Sequence, residues 1–137
     1  MGLILGLQAA ESSQRAIVSA LLIVALADNL SDSLSVHVYQ EAERLDGRAA
    51  FISTIANFVT RLLAASTFVL LVIVLPRDFL AWAAVAWGMT LLAWLTGRIA
   101  RARGVPVGKE IVKHVAIAAL VLAVSRLLGG WIATAFA

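Results

Sequence analysis

The 137-residue chain contains no cysteine, which excludes disulfide bonds, thiolate metal ligands and thiol nucleophiles. It also lacks the His-Glu-x-x-His arrangement of zinc proteases. No serine and histidine stand in a pattern that indicates a nucleophile and its base. An enzyme is therefore the least expected class of function.

Charged residues are scarce as well. They make up 14% of the chain, whereas hydrophobic residues make up 62% and the mean hydropathy is +0.97. A soluble domain is about 25% charged and about 45–50% apolar. We therefore expect an integral membrane protein whose main surroundings are the lipid bilayer. The net charge of +3 is small, and we expect no nucleic-acid partner.

Four segments are long and apolar enough to cross a bilayer. A membrane-spanning helix needs about 20 apolar residues, and this criterion selects residues 16–39, 49–75, 79–99 and 108–135. The first helix is expected to continue toward Arg44, and Pro76 ends the second. Because short connections make consecutive helices antiparallel neighbours, the predicted fold is all-α: one transmembrane domain, an up-down bundle of four helices. A bundle this small encloses little space alone, so we expect a homodimer.

The lysines and arginines are unevenly distributed between the two ends of these helices. The first and third loops with their flanks hold Arg44, Arg48, Arg98, Arg101, Arg103, Lys109 and Lys113. The opposite end holds Arg15 and Arg77. Since short loops rich in Lys and Arg stay in the cytoplasm, we predict that loops 1 and 3 are cytoplasmic and that both termini lie outside.

Polar residues form two adjacent helical stripes in the second half of the first span. One stripe holds Asp28, Asp32 and Ser35, and the other holds Asn29, Ser33, His37, Gln40 and Glu41. The opposite side is apolar, with Leu26, Leu30, Leu34 and Val38. Polar side chains inside a membrane turn toward other helices, a partner subunit or water. We therefore predict that a cation pathway follows this face.

The second span carries a polar stripe of its own, formed by Ser53, Asn57, Thr60 and Arg61. At ~1.5 Å per residue, Asp28 and Arg61 lie at similar depth on antiparallel neighbours. We predict that these two side chains form an ion pair inside the bundle. Asp32 and Asn57 should belong to the same network.

The roles of the individual residues are open to two interpretations. Intramembrane carboxylates mark ion pathways or proton relays, but they also form fixed structural pairs. For Asp28 the two interpretations are equally open, because Arg61 can neutralise it. Asp32, His37 and Glu41 lie nearer the predicted cytoplasmic mouth, which favours function. Asn57 fits helix–helix hydrogen bonding better than ligation.

Several of these side chains are suitable metal ligands. Asp28 and Asp32 are spaced i, i+4, so that they can share one ion. His37 and Glu41 have the same spacing, which permits either metal binding or a plain hydrogen bond. This spacing matches no fixed metal motif. The candidate metal ligands are Asp32, His37, Glu41 and Glu43.

Two regions resemble the vacuolar iron transporter family. In the second helix of that family a Ser-Met pair and two further residues precede Gly-Glu-Tyr, and "SVHVYQE" is similar, with Ser35 at the serine and Tyr39, Gln40 and Glu41 at the last three positions. The segment "LTGRIARARGVPVGKEIVKHVAIAALVLAVSRLLGGWI" resembles the last two helices and their basic loop. The resemblance covers the second to fifth helices of the family. It implies a divalent cation, Fe²⁺ or Mn²⁺, as substrate, possible coupling to protons, and the same orientation that the arginines indicate.

The chain departs from the family at three points. The segment "MGLILGLQAAESSQR" is too short to cross, so the family's first helix has no counterpart unless a partner chain supplies it. Val36 replaces the methionine, which removes a soft thioether ligand, and Gln40 replaces the glutamate. The remaining oxygen ligands would accept Mn²⁺, Fe²⁺ or Mg²⁺ without strong preference.

Two other functions compete with metal transport. A dimer of four-span subunits could export organic cations in exchange for protons, but such a site should be lined by aromatic residues, and Tyr39 is the only tyrosine. The protein could also be a structural or accessory membrane subunit that transports nothing. In that case Asp28 and Asp32 should both be paired with Arg61 or Asn57.

Overall fold

The computed structural model describes residues 1–43 and 46–136. This part of the chain is helical and contains no strand: α1 Gly2–Ala9, α2 Gln14–Ile23, a π-helical segment Val24–Asp28, α3 Asn29–Ala42, α4 Gly47–Val74, α5 Arg77–Ala102 and α6 Val107–Ala135. Four helical stretches are long and apolar enough to cross a membrane: Gln14–Ala42, α4, α5 and α6. The prediction of an all-α fold with four helices long and apolar enough to span a membrane is therefore confirmed, which suggests a multi-pass membrane protein.

Local capping explains where the helices begin and end. The observed ends differ from the predicted spans by less than one helical turn. The first span begins early because Ser13 Oγ accepts a hydrogen bond from the backbone N–H of Ala16, 3.2 Å away, as a helix-capping serine does. The predicted extension of this helix is observed as far as Ala42, and Arg44 lies outside the described residues.

The end of α5 is a tight backbone turn around Gly104. Gly104 has φ +66°, a left-handed conformation that glycine adopts without strain. The N–H of Val105 donates to the carbonyl of Ala100 at 3.1 Å, and that of Gly104 donates to Arg101 at 3.2 Å. These two hydrogen bonds satisfy carbonyl groups that have no donor within the helix because they lie in its last turn. Pro106 then fixes the start of α6.

Two compact units divide the chain: Met1–Ile17 with Val74–Ala137, and Val18–Ile73. In the first unit, α1 packs against α6 and α5. Its backbone touches α6 directly, because a Cβ atom on Gly129 would overlap the carbonyl oxygen of Gly6 and lie 2.9 Å from the Cβ of Ala9. Small residues at such contacts let helix backbones approach closely in membranes. The short N-terminal segment is therefore a packed helix.

In the second unit, the π-helical segment joins α2 to α3 without interrupting the helical rod. A π turn holds one residue more than an α turn and is frequent at functional sites. Beyond it, Asn29 and Ser33 are buried, whereas Leu30 and Leu34 are exposed. The burial of Asn29 and Ser33 agrees with the prediction that the polar side of this helix turns inward, whereas Asp28 and Ser35, which belong to the same predicted side, are exposed.

The contact between α1 and α6 can be tested with two neighbouring glycines. Gly129→Ala should lower the unfolding free energy by about 1–3 kcal/mol, because the new methyl group overlaps the Gly6 carbonyl. Gly130→Ala is the matched control, since its Cβ would have nothing within 4 Å. We expect that variant to be neutral or slightly more stable. Thermal unfolding in detergent measures both, and equal stability of the two variants would contradict the packing described.

Candidate functional site

The polar face of α3 bonds to α4 through what we call the α3–α4 network. Its members on α3 are Asn29, Asp32, Ser33, His37 and Gln40, and its members on α4 are Ser53, Thr54, Asn57 and Arg61. From the Asp32–Arg61 pair to the Gln40–Ser53 pair, partners with rising numbers on α3 have falling numbers on α4, as antiparallel helices require. These contacts bring together most of the polar residues that the sequence singled out in the first two spans.

One end of the network lies near the loop between the two helices. Gln40 Nε2 donates to Ser53 Oγ at 2.9 Å. His37 Nδ1 lies 3.3 Å from Thr54 Oγ1, whose hydroxyl donates to the carbonyl of Ala50 at 2.9 Å. Because the hydroxyl hydrogen is used in that bond, the threonine accepts a hydrogen from the histidine ring. Thr54 is not among the residues predicted from the sequence, although its i, i+3 spacing to Asn57 indicates the same helix face.

The part of the network farther from that loop is the most deeply buried. Asn29 is 3% exposed and Ser33 is 2% exposed. Asn57 Nδ2 donates to Ser33 Oγ at 3.2 Å, and Asn29 Nδ2 donates to the backbone carbonyl of Phe58 at 2.9 Å. Asn57 therefore bridges the two helices, as predicted for a residue that holds helices together.

Arg61 forms its ion pair with Asp32, at 2.5 Å between Nη1 and Oδ2. The predicted Asp28–Arg61 pair is therefore wrong. Similar depth in the membrane was not sufficient to predict the ion pair, because the direction in which each side chain leaves its helix also matters. Asn29 points at α4, and Asp28, one residue earlier, leaves the helix about 100° away from it. Asp32 is only about 60° from Asn29, and the long arginine side chain can reach it.

The other predicted pathway residues lie outside the α3–α4 network. Asp28 is exposed and makes no ion pair or hydrogen bond with the side chains that the structure describes. Ser35 Oγ donates to the carbonyl of Ser31 on its own helix at 2.9 Å. Glu41 is exposed, with Oε1 3.4 Å from His37 Nε2. Glu43 is exposed at the end of α3.

Of the four predicted metal ligands, the structure brings only two together, His37 and Glu41. The carboxylate of Asp32 forms an ion pair with Arg61. Among residues 1–43 and 46–136, no three His, Asp or Glu side chains form a group that could hold a metal ion. A complete metal site is therefore still a prediction, and from this chain His37 and Glu41 would contribute one nitrogen and one carboxylate.

Two buried oxygen atoms of the network lack a hydrogen-bond donor among the described residues, Asn29 Oδ1 and Gln40 Oε1. A buried acceptor without a donor costs about 1–3 kcal/mol. Such atoms are favourable positions for a water molecule or a cation. They flank His37 and Ser33 along the same face of α3.

Comparison with known proteins gave no match: no family model, no curated protein and no solved structure corresponds to this chain.

The buried bond of Asn29 can be compared with an exposed bond on the same helix. Asn29→Ala removes the hydrogen bond to Phe58 and should lower the unfolding free energy by ~0.6–2 kcal/mol. Ser35→Ala is the control, because Ser35 bonds only to its own helix and is exposed. We expect no measurable change for that variant. Thermal unfolding in detergent is the measurement, and a larger effect of Ser35→Ala would contradict the placement of the two residues.

The identity of the ion pair can be tested with a double-mutant cycle. Asp32→Asn and Arg61→Gln should be non-additive in unfolding free energy by ~1 kcal/mol, because both remove the same pair. The cycle with Asp28→Asn in place of Asp32→Asn should be additive within about 0.5 kcal/mol. Coupling of Arg61 to Asp28 instead of Asp32 would show that the pairing is the one first expected from depth.

Proposed function

We propose that this protein binds and transports a divalent cation, Fe²⁺ or Mn²⁺, along the polar face of α3. The observation that carries the proposal is the carboxylate of Asp28, which lies within a candidate span, is exposed, and has no cationic partner among the described side chains. An unpaired carboxylate in a membrane is costly. A bound cation or a proton would offset that cost.

In this proposal the two aspartates have different roles. Asp28 binds the cation, and a proton replaces the cation when it leaves, which couples transport to protons. Asp32 is held by Arg61, so an incoming cation must compete with the guanidinium for it. The unsatisfied oxygen of Asn29 is a hard ligand on the neighbouring face of the helix, toward α4.

The other end of α3 would form the exit of the pathway on the cytoplasmic side. His37 and Glu41 lie 3.4 Å apart there and supply a nitrogen and an oxygen ligand. Gln40 contributes a buried carbonyl oxygen, and Glu43 attracts ions from the loop. The excess of Lys and Arg at the first and third loops supports this orientation, with both termini outside.

A second copy of the chain would complete the site. Asp32 and Arg61 are 47% and 44% exposed in the single chain, although both belong to candidate spans. Charged groups at this depth face protein or water and not lipid. We propose a homodimer that covers this surface, and a different partner chain that supplies an additional helix is the alternative.

One observation favours a different function, that of a structural or accessory subunit. Asp32 is paired with Arg61, and the network joins α3 to α4 in the way that polar side chains hold helices together. That function predicts no flux at all. The unpaired Asp28 argues against it, since a purely structural role does not require this carboxylate.

Uptake into proteoliposomes tests these alternatives. The wild-type protein should carry Mn²⁺ and Fe²⁺, and Asp28→Asn should lower the flux to the level of protein-free liposomes, because the neutral amide cannot exchange a proton for a cation. Asp78→Asn is the matched control, since Asp78 is an exposed carboxylate in the first turn of α5. That variant should transport as the wild type does.

Each outcome separates the candidates. Absence of flux for every ion in the wild type would favour the accessory role and contradict transport. Uptake of an organic dye without metal uptake would favour the organic-cation exporter. Metal flux that persists in Asp28→Asn, with unchanged protein yield and thermal stability, would exclude Asp28 as the binding residue.

A further inference from the structure

A cavity in the first unit lies between α1, α5 and α6 and is independent of the α3–α4 network. Its volume is about 320 Å³, and its lining includes Leu5, Gln8, Ala81, Trp82, Val85 and Arg126. This volume is at the lower end of the range for small-molecule sites. The sequence could not indicate it, because the position of α1 depends on packing.

Among the described residues that line the cavity, Arg126 alone has a charged side chain. It belongs to the spanning helix α6, about 14 Å from the end of that helix at Ala135. No acidic side chain in the described ranges forms an ion pair with it within 4 Å. A guanidinium at this depth without an anion is costly, so an anionic ligand would be bound favourably.

Polar and apolar groups are separated along the cavity. Gln8 Nε2 donates to the carbonyl of Arg77 at 2.7 Å, which places Gln8 at the beginning of α5. Val85 lies about two turns further along α5, and Leu5 lies about one turn further along α1 from Gln8, in the same direction. Gln8 is therefore nearest the end of the spans, and the apolar wall formed by Leu5 and Val85 extends from it toward the middle. Trp82 lies near the same end, as tryptophans at membrane interfaces do.

A second, more open groove adjoins the first on α6. It is lined by Arg126 together with Leu127, Gly130 and Trp131. Arg126 thus has largely apolar surface on both sides. A free inorganic anion would use only the guanidinium, whereas an amphiphile with an anionic head would also use both apolar walls.

We propose that this cavity binds an anionic phospholipid, with its phosphate on the guanidinium of Arg126 and an acyl chain along Leu5 and Val85. Arginine recognises phosphate with two parallel hydrogen bonds, which a lysine cannot reproduce. Trp82 covers the lipid near the headgroup. The site is separate from the proposed cation pathway and does not depend on it.

Native mass spectrometry of the detergent-purified protein can test the proposal. The protein is titrated with phosphatidylglycerol and with phosphatidylcholine of identical acyl chains. Phosphatidylglycerol should bind about fivefold more tightly than phosphatidylcholine. Arg126→Gln should abolish this preference by weakening the binding of phosphatidylglycerol about fivefold. Arg77→Gln is the matched control, because Arg77 is at the same end of the spans but does not line the cavity. It should change the affinity less than twofold.

A second variant tests the cavity itself. Ala81→Leu keeps the charge of Arg126 but fills part of the space for the acyl chain, so it should also weaken phosphatidylglycerol binding. Thermal unfolding verifies that each variant is folded. Equal binding of the two lipids, equal effects of Arg126→Gln and Arg77→Gln, or unchanged binding by Ala81→Leu would overturn the proposal. Displacement of the lipid by inorganic phosphate would overturn it as well, because the site would then bind a free anion.

Discussion

Hydrocarbon contains no hydrogen-bond donors or acceptors, so every polar group within a span must find its partner in the protein. The helices satisfy this requirement for the backbone, and the α3–α4 network satisfies it for most side chains that face α4. The side-chain amide of Asn29 donates a hydrogen bond to a backbone carbonyl, and Ser33 accepts one from Asn57. Arg61 neutralises the carboxylate of Asp32. The side chains that do not follow this rule, above all Asp28, are those on which the proposed function rests.

The two units hold their helices together by different physical means. In the first unit, α1 and α6 meet through glycines, and close contact between backbones provides the attraction. In the second, hydrogen bonds between long polar side chains bridge α3 and α4. Lipid does not compete with either interaction, since it neither fills a backbone-to-backbone contact nor accepts a hydrogen bond. The same apolar composition therefore supports one unit in which close backbone packing joins the helices and one in which polar side chains join them.

The spans and their polar side could be predicted from the sequence because both depend on local periodicity. The four helices were predicted from their hydropathy. The helical spacing of the polar residues predicted that Asn29 and Ser33 lie on an inward face. The partner of Arg61 could not be predicted, because depth determines height along a helix but not direction around it, and an arginine side chain spans about one turn. The helix α1 was not recognised, since eight residues are stable only through their contacts with α5 and α6.

The π-helical segment affects the direction in which side chains leave the helix along the whole first span. In a uniform α-helix from Gln14 to Ala42, the direction of each side chain around the axis would be fixed by its position in the sequence. Inserting or deleting one residue would rotate all later side chains about the axis by about 100°. The wide turn at Val24–Asp28 absorbs one additional residue instead. The half of the span before it and the half after it can therefore differ in angular register. The lipid-facing requirements of α2 and the partner-facing requirements of α3 are then met independently within one continuous rod.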